Sequence, residues 1–348
     1  MIDANKNVFS QLFDWAKRAD RPLANAEMVR WIHTTSDDRN WLKNLVVDDV
    51  FTFSPRVKTA IIQYAGLHYF IAVGFDTSVD DKSVFTEIDI NAGMFTALIQ
   101  ELAVPVRLFI NPLKIIEDVS PSFQGIENYD GHQLESIAGF FEPIIISEVN
   151  PNSPIMPNEL IRMSFFWLLK NQERITLPFS ADTISEMERI VLTGARTIPF
   201  SNLVYGIQCS HWQHAFLEIY RCIERLFSFQ IIEDLHKDLS LSISLLDFSE
   251  KIESVTGWRP LEQDAIRRLF GLLPATARSL MEGVRNQVSG REENISKWIY
   301  GLRNSVVHFR PVTKQLKLTD HQWDEIFRAA LLLVAQIYAK YDSQLQTA

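Results

Sequence analysis

The rhythm of apolar positions changes part-way along the chain. In residues 56–75, RVKTAIIQYAGLHYFIAVGF, β-branched and aromatic residues flank a small Ala65-Gly66 break, the pattern of two strands joined by a tight turn. VFTEIDI (84–90), VRLFINP (106–112) and FFEPIIISEV (140–149) read as further strands, the second closed by its proline. Between them NAGMFTALIQEL (91–102) has helical spacing, with Asn91 placed to cap it. A short helix is predicted over 7–18 and longer ones over 160–171 and 180–194. The last of these has Ser180 and Asp182 as candidate caps and Gly194 as a stop.

After about residue 205 the strand signals vanish. Helical patterns follow at 210–229, 230–256 with interruptions, 260–271, 274–288, 291–309 and 320–344. The predicted class is therefore α+β: a mixed α/β domain over 1–204, followed by an all-helical bundle over 205–348. The run AALLLVAQIYA (329–339) is too short for a bilayer, which takes about 20 apolar residues, so it is read as a core helix and no membrane partner is expected. Trp41, Trp167 and Trp298 sit in apolar contexts and are assigned to cores.

With 47% hydrophobic and 22% charged residues, the chain has the composition of a globular rather than a disordered protein. The net charge of −9 is uneven. Residues 201–348 hold 17 basic and 17 acidic side chains; subtracting these from the totals of 34 and 43 leaves 17 and 26 for residues 1–200. The asymmetry points to two parts with different partners. Between Arg285 and Lys317 the only acids are Glu292 and Glu293, against seven basic residues. The two cysteines give no disulfide framework, and the N-terminus shows no basic-then-apolar leader, so a cytoplasmic setting is expected.

The basic segment contains GLRNSVVHFRP, residues 301–311. Ser289 and Glu292 fit a capping box that would start the helix carrying it. Ile295, Trp298, Ile299, Leu302, Val306 and Phe309 form one stripe on that helix. Taking Ile295 as zero, Arg303, Asn304 and His308 fall at about 80°, 180° and 220°, off the stripe. Val307 sits among them, which suggests a surface covered by something else, a second subunit being one candidate. Pro311 disfavours helix at Arg310, so His308 belongs near the last turn. There the helix end favours imidazolium while neighbouring arginines oppose it, leaving a histidine that can titrate near neutrality. Guanidinium groups with an imidazole suit phosphate chemistry: arginine forks onto phosphate oxygens and stabilises charge building on phosphorus. RNA carries its own nucleophile, the 2′-OH, so one base can start cleavage without a metal.

Arg303-Asn304-Ser305-Val306-Val307-His308 resembles the signature of the HEPN superfamily: arginine, a polar residue, then histidine after four to six positions, late in a helical bundle with a long final helix. The resemblance covers about 205–345. It implies a metal-independent endoribonuclease without cofactor, homodimeric through the helical domain, acting on tRNA or mRNA as a toxin or antiphage effector. An antitoxin or sensor partner would be engaged by the N-terminal domain. Carried over, Arg303 binds the scissile phosphate, His308 is the acid or base, and Asn304 orients His308 or a phosphate oxygen. Arg310 is added for its position alone. In the first helix of the bundle, HWQHAFLEIYRCIERLF (211–227), Trp212, Phe216, Ile219, Tyr220, Ile223 and Phe227 form the buried stripe. Glu218 and Arg221 lie opposite it as candidate substrate-binding residues. The family's helix-one acid would be Glu218 or Glu224.

The rival readings are a non-catalytic helical module binding RNA, a nucleotide or a protein, and a plain dimerisation domain. Cys209, His211, His214 and Cys222 have metal-ligating side chains but match no zinc spacing, and are read as ordinary residues. Cys222, at the edge of a buried stripe, is assigned to packing rather than nucleophilic chemistry. His33, His68 and His132 carry no partner pattern. Phosphate-loop, nucleophile-elbow, metalloprotease and dinucleotide fingerprints are absent from the sequence.

Overall fold

A computed structural model describes residues 2–19, 29–119, 129–288, 294–307 and 317–346. The chain divides into two compact units, Met1–Ser164 and Phe165–Ala348. The class is α+β, with an antiparallel sheet in the first unit and helices throughout the second.

The first unit runs α1 (Ile2–Ala16), α2 (Ser36–Asn44), β1 (Val46–Ser54), β2 (Val57–Tyr64), β3 (Leu67–Val73), β4 (Phe85–Ile88), α3 (Ala92–Glu101), α4 (Pro112–Val119), α5 (Leu134–Ala138) and β5 (Ile144–Val149), and ends within α6 (Leu160–Lys170). The five strands lie in the order β1-β2-β3-β5-β4, every neighbouring pair antiparallel. The expected hairpin forms: Tyr64 pairs with Leu67 across a two-residue turn in which Ala65 and Gly66 both take positive φ, 50° and 81°. That geometry matches the twist of the flanking strands. Thr59–Ile62 and Tyr69–Val73 are buried without interruption, so these central strands are covered on both faces. On one face Ala60, Ile62, Tyr69, Ile71 and Ile146 pack with Val8 and Leu12 of α1, Phe95 and Leu98 of α3 and Ile115 of α4. α3 begins where its sequence predicts: the Asn91 side chain accepts from Met94 N at 2.9 Å.

Residues 106–112 do not form the predicted strand. Val106 makes an isolated bridge to Phe141, and the segment turns into α4. Asn111-Pro112 opens a helix here: proline occupies the first helical position and the Asn111 oxygen accepts from Leu113 N at 3.0 Å. β1 carries no clear strand signal because it is a sheet edge. It is largely exposed, bears Asp48 and Asp49, and slips register between Val47 and Asp49.

The second unit contains α7 (Ala181–Thr193), α8 (Phe200–Gln208), α9 (Trp212–Glu224), α10 (Phe229–Asp238), α11 (Leu245–Thr256), α12 (Glu262–Leu269), α13 (Ala275–Val288), α14 (Ile295–Val307) and α15 (Asp320–Leu345). The 26-residue α15 packs along α7, α9, α11 and α13. The predicted stripe of α9 is buried, and Phe216 meets Trp323 at 5.8 Å between ring centroids. The Tyr338 hydroxyl donates to the Cys222 carbonyl at 3.0 Å, and the Trp212 indole donates to Asp320 at 3.0 Å. α14 lies against α12 and α13.

The division at Ser164/Phe165 falls upstream of the predicted boundary at 204/205. α7 and α8 belong to the helical unit: Ser180 N donates to buried Asp324, Arg328 pairs with Asp182 at 2.5 Å, and α8 packs on α9. A change of sequence texture marks where strand patterns stop. The contacts that define a unit are made by helices on either side of that change.

Candidate functional site

α14 carries Arg303 to Val307 of the motif. Ile295, Trp298, Ile299 and Leu302 are buried as the stripe predicts, and Val306 is half-buried. Asn294 fixes the first turn, its side-chain oxygen accepting from Ser296 N at 2.9 Å. The predicted capping box at Ser289 and Glu292, and the site residues His308 and Arg310, lie outside the described residues.

Arg303 does not face open solvent, as its place off the stripe led us to expect. Its side chain is 17% exposed and enters a small charged cluster. One terminal nitrogen stands 3.5 Å from Glu224 on α9; the other stands 3.6 Å from Glu262 at the start of α12. The guanidinium carbon is 5.8 Å from the centroid of the Tyr220 ring. The reason is angular: about 80° is only one step beyond Ile299 at about 40°, close enough for a long side chain to bend into the core edge while keeping its head among polar groups. Asn304 turns toward it, accepting from the guanidinium at 3.1 Å.

These lengths decide how tightly the arginine is held. A charge-assisted N–H···O bond closes to about 2.7–2.9 Å, so both carboxylates attract Arg303 without gripping it. The guanidinium is thereby aimed but not saturated. Beneath it, Tyr220 is 1% exposed and its hydroxyl has no hydrogen-bond partner among the described residues. Burial drives that phenol's pKa far above the ordinary value; Arg303 opposes the rise, while Glu262, Glu224 and Tyr300 add to it.

The other candidates fall in different places. Glu218 and Arg221 are together, at 2.5 Å, with Glu218 also accepting from Asn202 at 2.9 Å. Neither is bonded to Arg303; the α9 carboxylate that stands beside it is Glu224. Glu262 and Tyr220 are the members that reading the sequence missed. Glu262 belongs to a different helix and no spacing links it to the motif; Tyr220 was assigned to the core, which is where its ring is. The Val307 side chain is 45% exposed.

Cys222 is fully buried, its thiol pushed up to about 12 first by burial and then by Glu218, which suits packing and not nucleophilic attack. Cys209 is half-exposed after α8, its thiol against the Tyr205 carbonyl at 3.2 Å. The rings of His211 and His214 stand 5.9 Å apart. Among the described residues no group of three or more His, Cys, Asp or Glu side chains is arranged to hold a metal ion, and no helix is long and apolar enough to cross a membrane.

No family model, no curated protein and no solved structure matches this chain. The reading of its site therefore rests on the geometry of α9, α12 and α14 and on the residues they present.

Proposed function

We propose that the helical unit is a metal-independent endoribonuclease of HEPN type. Arg303 contacts the scissile phosphate and His308 serves as the acid or base. The observation that supports this reading is the loosely paired Arg303, aimed by Glu224, Glu262 and Asn304 yet held by neither carboxylate at full hydrogen-bond length. A phosphate oxygen can replace a carboxylate at such a guanidinium with little loss, because both offer the same forked acceptor.

In the proposed reaction the base removes the proton of a ribose 2′-OH. The oxygen attacks the adjacent phosphorus, charge builds on the equatorial oxygens beside Arg303, and the 5′-oxygen leaves with a proton. The products are a 2′,3′-cyclic phosphate and a free 5′-hydroxyl. Exposed Val307, on the same helix, supports a homodimer that pairs two such sites. A toxin or antiphage role, and a sensor or antitoxin partner for the first unit, extend the same proposal.

A second reading is favoured by one observation. The cluster around Arg303 contains two carboxylates and one guanidinium, a net negative surrounding that weakens the hold on a polyanion. On that reading the unit binds RNA, a nucleotide or a protein without cutting.

Incubation with RNA in EDTA separates the two. Cleavage that persists in EDTA, fails at a deoxyribose and is lost in His308→Ala and Arg303→Ala supports the nuclease. Binding without cleavage supports the second reading, and cleavage abolished by EDTA overturns the metal-free mechanism.

A further inference from the structure

The first unit contains a cavity of about 250 Å³ whose described walls include Asn5, Arg30, Trp31, His33, Thr34, Arg39 and Asp130. Its wall is fixed by backbone pairing. His33 N donates to the His132 carbonyl at 2.9 Å and His132 N donates to the Trp31 carbonyl at 2.8 Å. Ile32, between them, is fully buried in the core, and its amide donates to the Asn5 side chain at 3.0 Å. Trp31 and His33 thus share the face that lines the cavity, as alternation along an extended segment requires.

The indole is seated firmly. Tyr129 meets it edge-on at 4.4 Å, and at Gly131, where φ is 94°, a β-carbon would come within 2.8 Å of the ring. Only glycine satisfies both that backbone angle and that approach.

Charge in the lining favours an anion. Arg30 is 3% exposed, its Nε donates to the Val119 carbonyl at 2.9 Å, and its guanidinium lies 4.8 Å over the Phe13 ring. A guanidinium stripped of water acts strongly on a nearby negative group. Arg39, on α2, is exposed at the rim and reaches the Thr34 carbonyl at 3.4 Å. Against these two cations stands Asp130, whose carboxylate is 3.1 Å from His33 Nδ1.

We propose that this cavity binds a small ligand joining a phosphate to a flat ring, of which a nucleoside monophosphate is the simplest. Arg39 takes the phosphate in a fork, and the buried charge of Arg30 behind the wall adds to the field there. The indole of Trp31 offers its surface to the ring. Asp130 and Thr34 are placed to meet ligand hydroxyls. The volume is smaller than the roughly 300–1,000 Å³ typical of drug-sized ligands, which favours a single mononucleotide over a dinucleotide or larger ligand. This inference concerns the first unit alone and is independent of the RNA-cleavage proposal.

Calorimetric titration of the full chain with AMP, GMP, CMP and UMP, alongside adenosine and inorganic phosphate, tests it. At least one monophosphate should bind saturably, at least tenfold more tightly than adenosine or phosphate alone. Arg39→Ala should weaken that binding about tenfold or more, with Arg39→Lys intermediate because charge remains and the fork is lost. Arg39 is exposed, so its variants should keep the wild-type melting temperature, which is checked in parallel. Absence of binding by all four monophosphates overturns the proposal. So does adenosine or phosphate binding as tightly as the nucleotides, or an Arg39→Ala protein that is folded and binds as well as wild type.

Discussion

Arg303 and Glu224 face each other from α14 and α9 at 3.5 Å, a separation at which the charges attract without closing a strong hydrogen bond. The Glu224 carboxylate is 38% exposed and Glu262 36%, so solvent screens both pairs. The contribution of this arginine to folding should therefore be small, whatever its part in chemistry.

Arg303→Ala accordingly separates the two roles. Its unfolding free energy should fall by less than about 1 kcal/mol, while RNA cleavage should drop by about a hundredfold or more. Denaturant titration and a gel-based cleavage assay measure the two. A variant that cannot fold would make the residue a strut and remove the basis for the catalytic reading.

Two buried tyrosines on packed helices should respond oppositely to loss of their hydroxyls. Tyr338 donates to the Cys222 carbonyl, so Tyr338→Phe should cost about 1 kcal/mol. Tyr220 has no such partner among the described residues, so Tyr220→Phe should leave stability unchanged or raise it by up to about 1 kcal/mol. Should Tyr220→Phe instead destabilise, an ordered water must be serving that hydroxyl.

Glu233 sets an acid-sensitive link between α10 and α15. Burial alone would raise its pKa, but hydrogen bonds from Lys237 at 2.6 Å, Lys340 at 2.8 Å and Tyr341 at 2.8 Å outweigh that and hold it at about 2. Because the folded value lies below the ordinary 4.5, the stabilisation is fully present above that pH and is lost as pH falls toward 2. Between pH 7 and pH 3 wild type should lose about 1 kcal/mol more than Glu233→Gln once solvent screening of the exposed lysines is allowed for, read from urea midpoints. Equal losses in the two proteins would refute the assignment.

α2 and α3 touch backbone to backbone at Gly93, where an added β-carbon would fall 1.8 Å from the Asp38 carbonyl oxygen. Gly93→Ala should destabilise the first unit by about 3 kcal/mol or prevent its folding. Gly139→Ala, whose nearest contact would be at 3.9 Å, is the matched control and should be near neutral. Thermal melts of the two proteins decide it.

Local signals account for what was legible in the sequence. Asn91 and Ser180 cap α3 and α7 as read, each accepting from the amide three residues on. The Ala65-Gly66 turn was visible because both its residues and both its strands lie within twenty positions. β1 was not, because an edge strand lacks the alternation that burial imposes. At 106–112 a β-branched run outweighed the helix-opening meaning of Asn111-Pro112. The site was only partly readable. The motif arginine and the choice between Glu218 and Glu224 could be posed from one helix each, but Glu262 joins them through a fold that no spacing reports. The cavity beside Trp31 was hidden for a similar reason: its wall is a three-residue segment held by a distant histidine.

The clasp between α7 and α15 bears on how the protein can be dissected. Asp182 with Arg328, and Thr197, just after α7, with Asp342 at 2.7 Å, join residues 146 and 145 positions apart in the chain. A recombinant fragment begun at 205 would leave one flank of α15 bare to water, inviting aggregation of an otherwise sound bundle. Excision upstream of α7 would keep the clasp shut, and the two fragments should differ visibly in solubility.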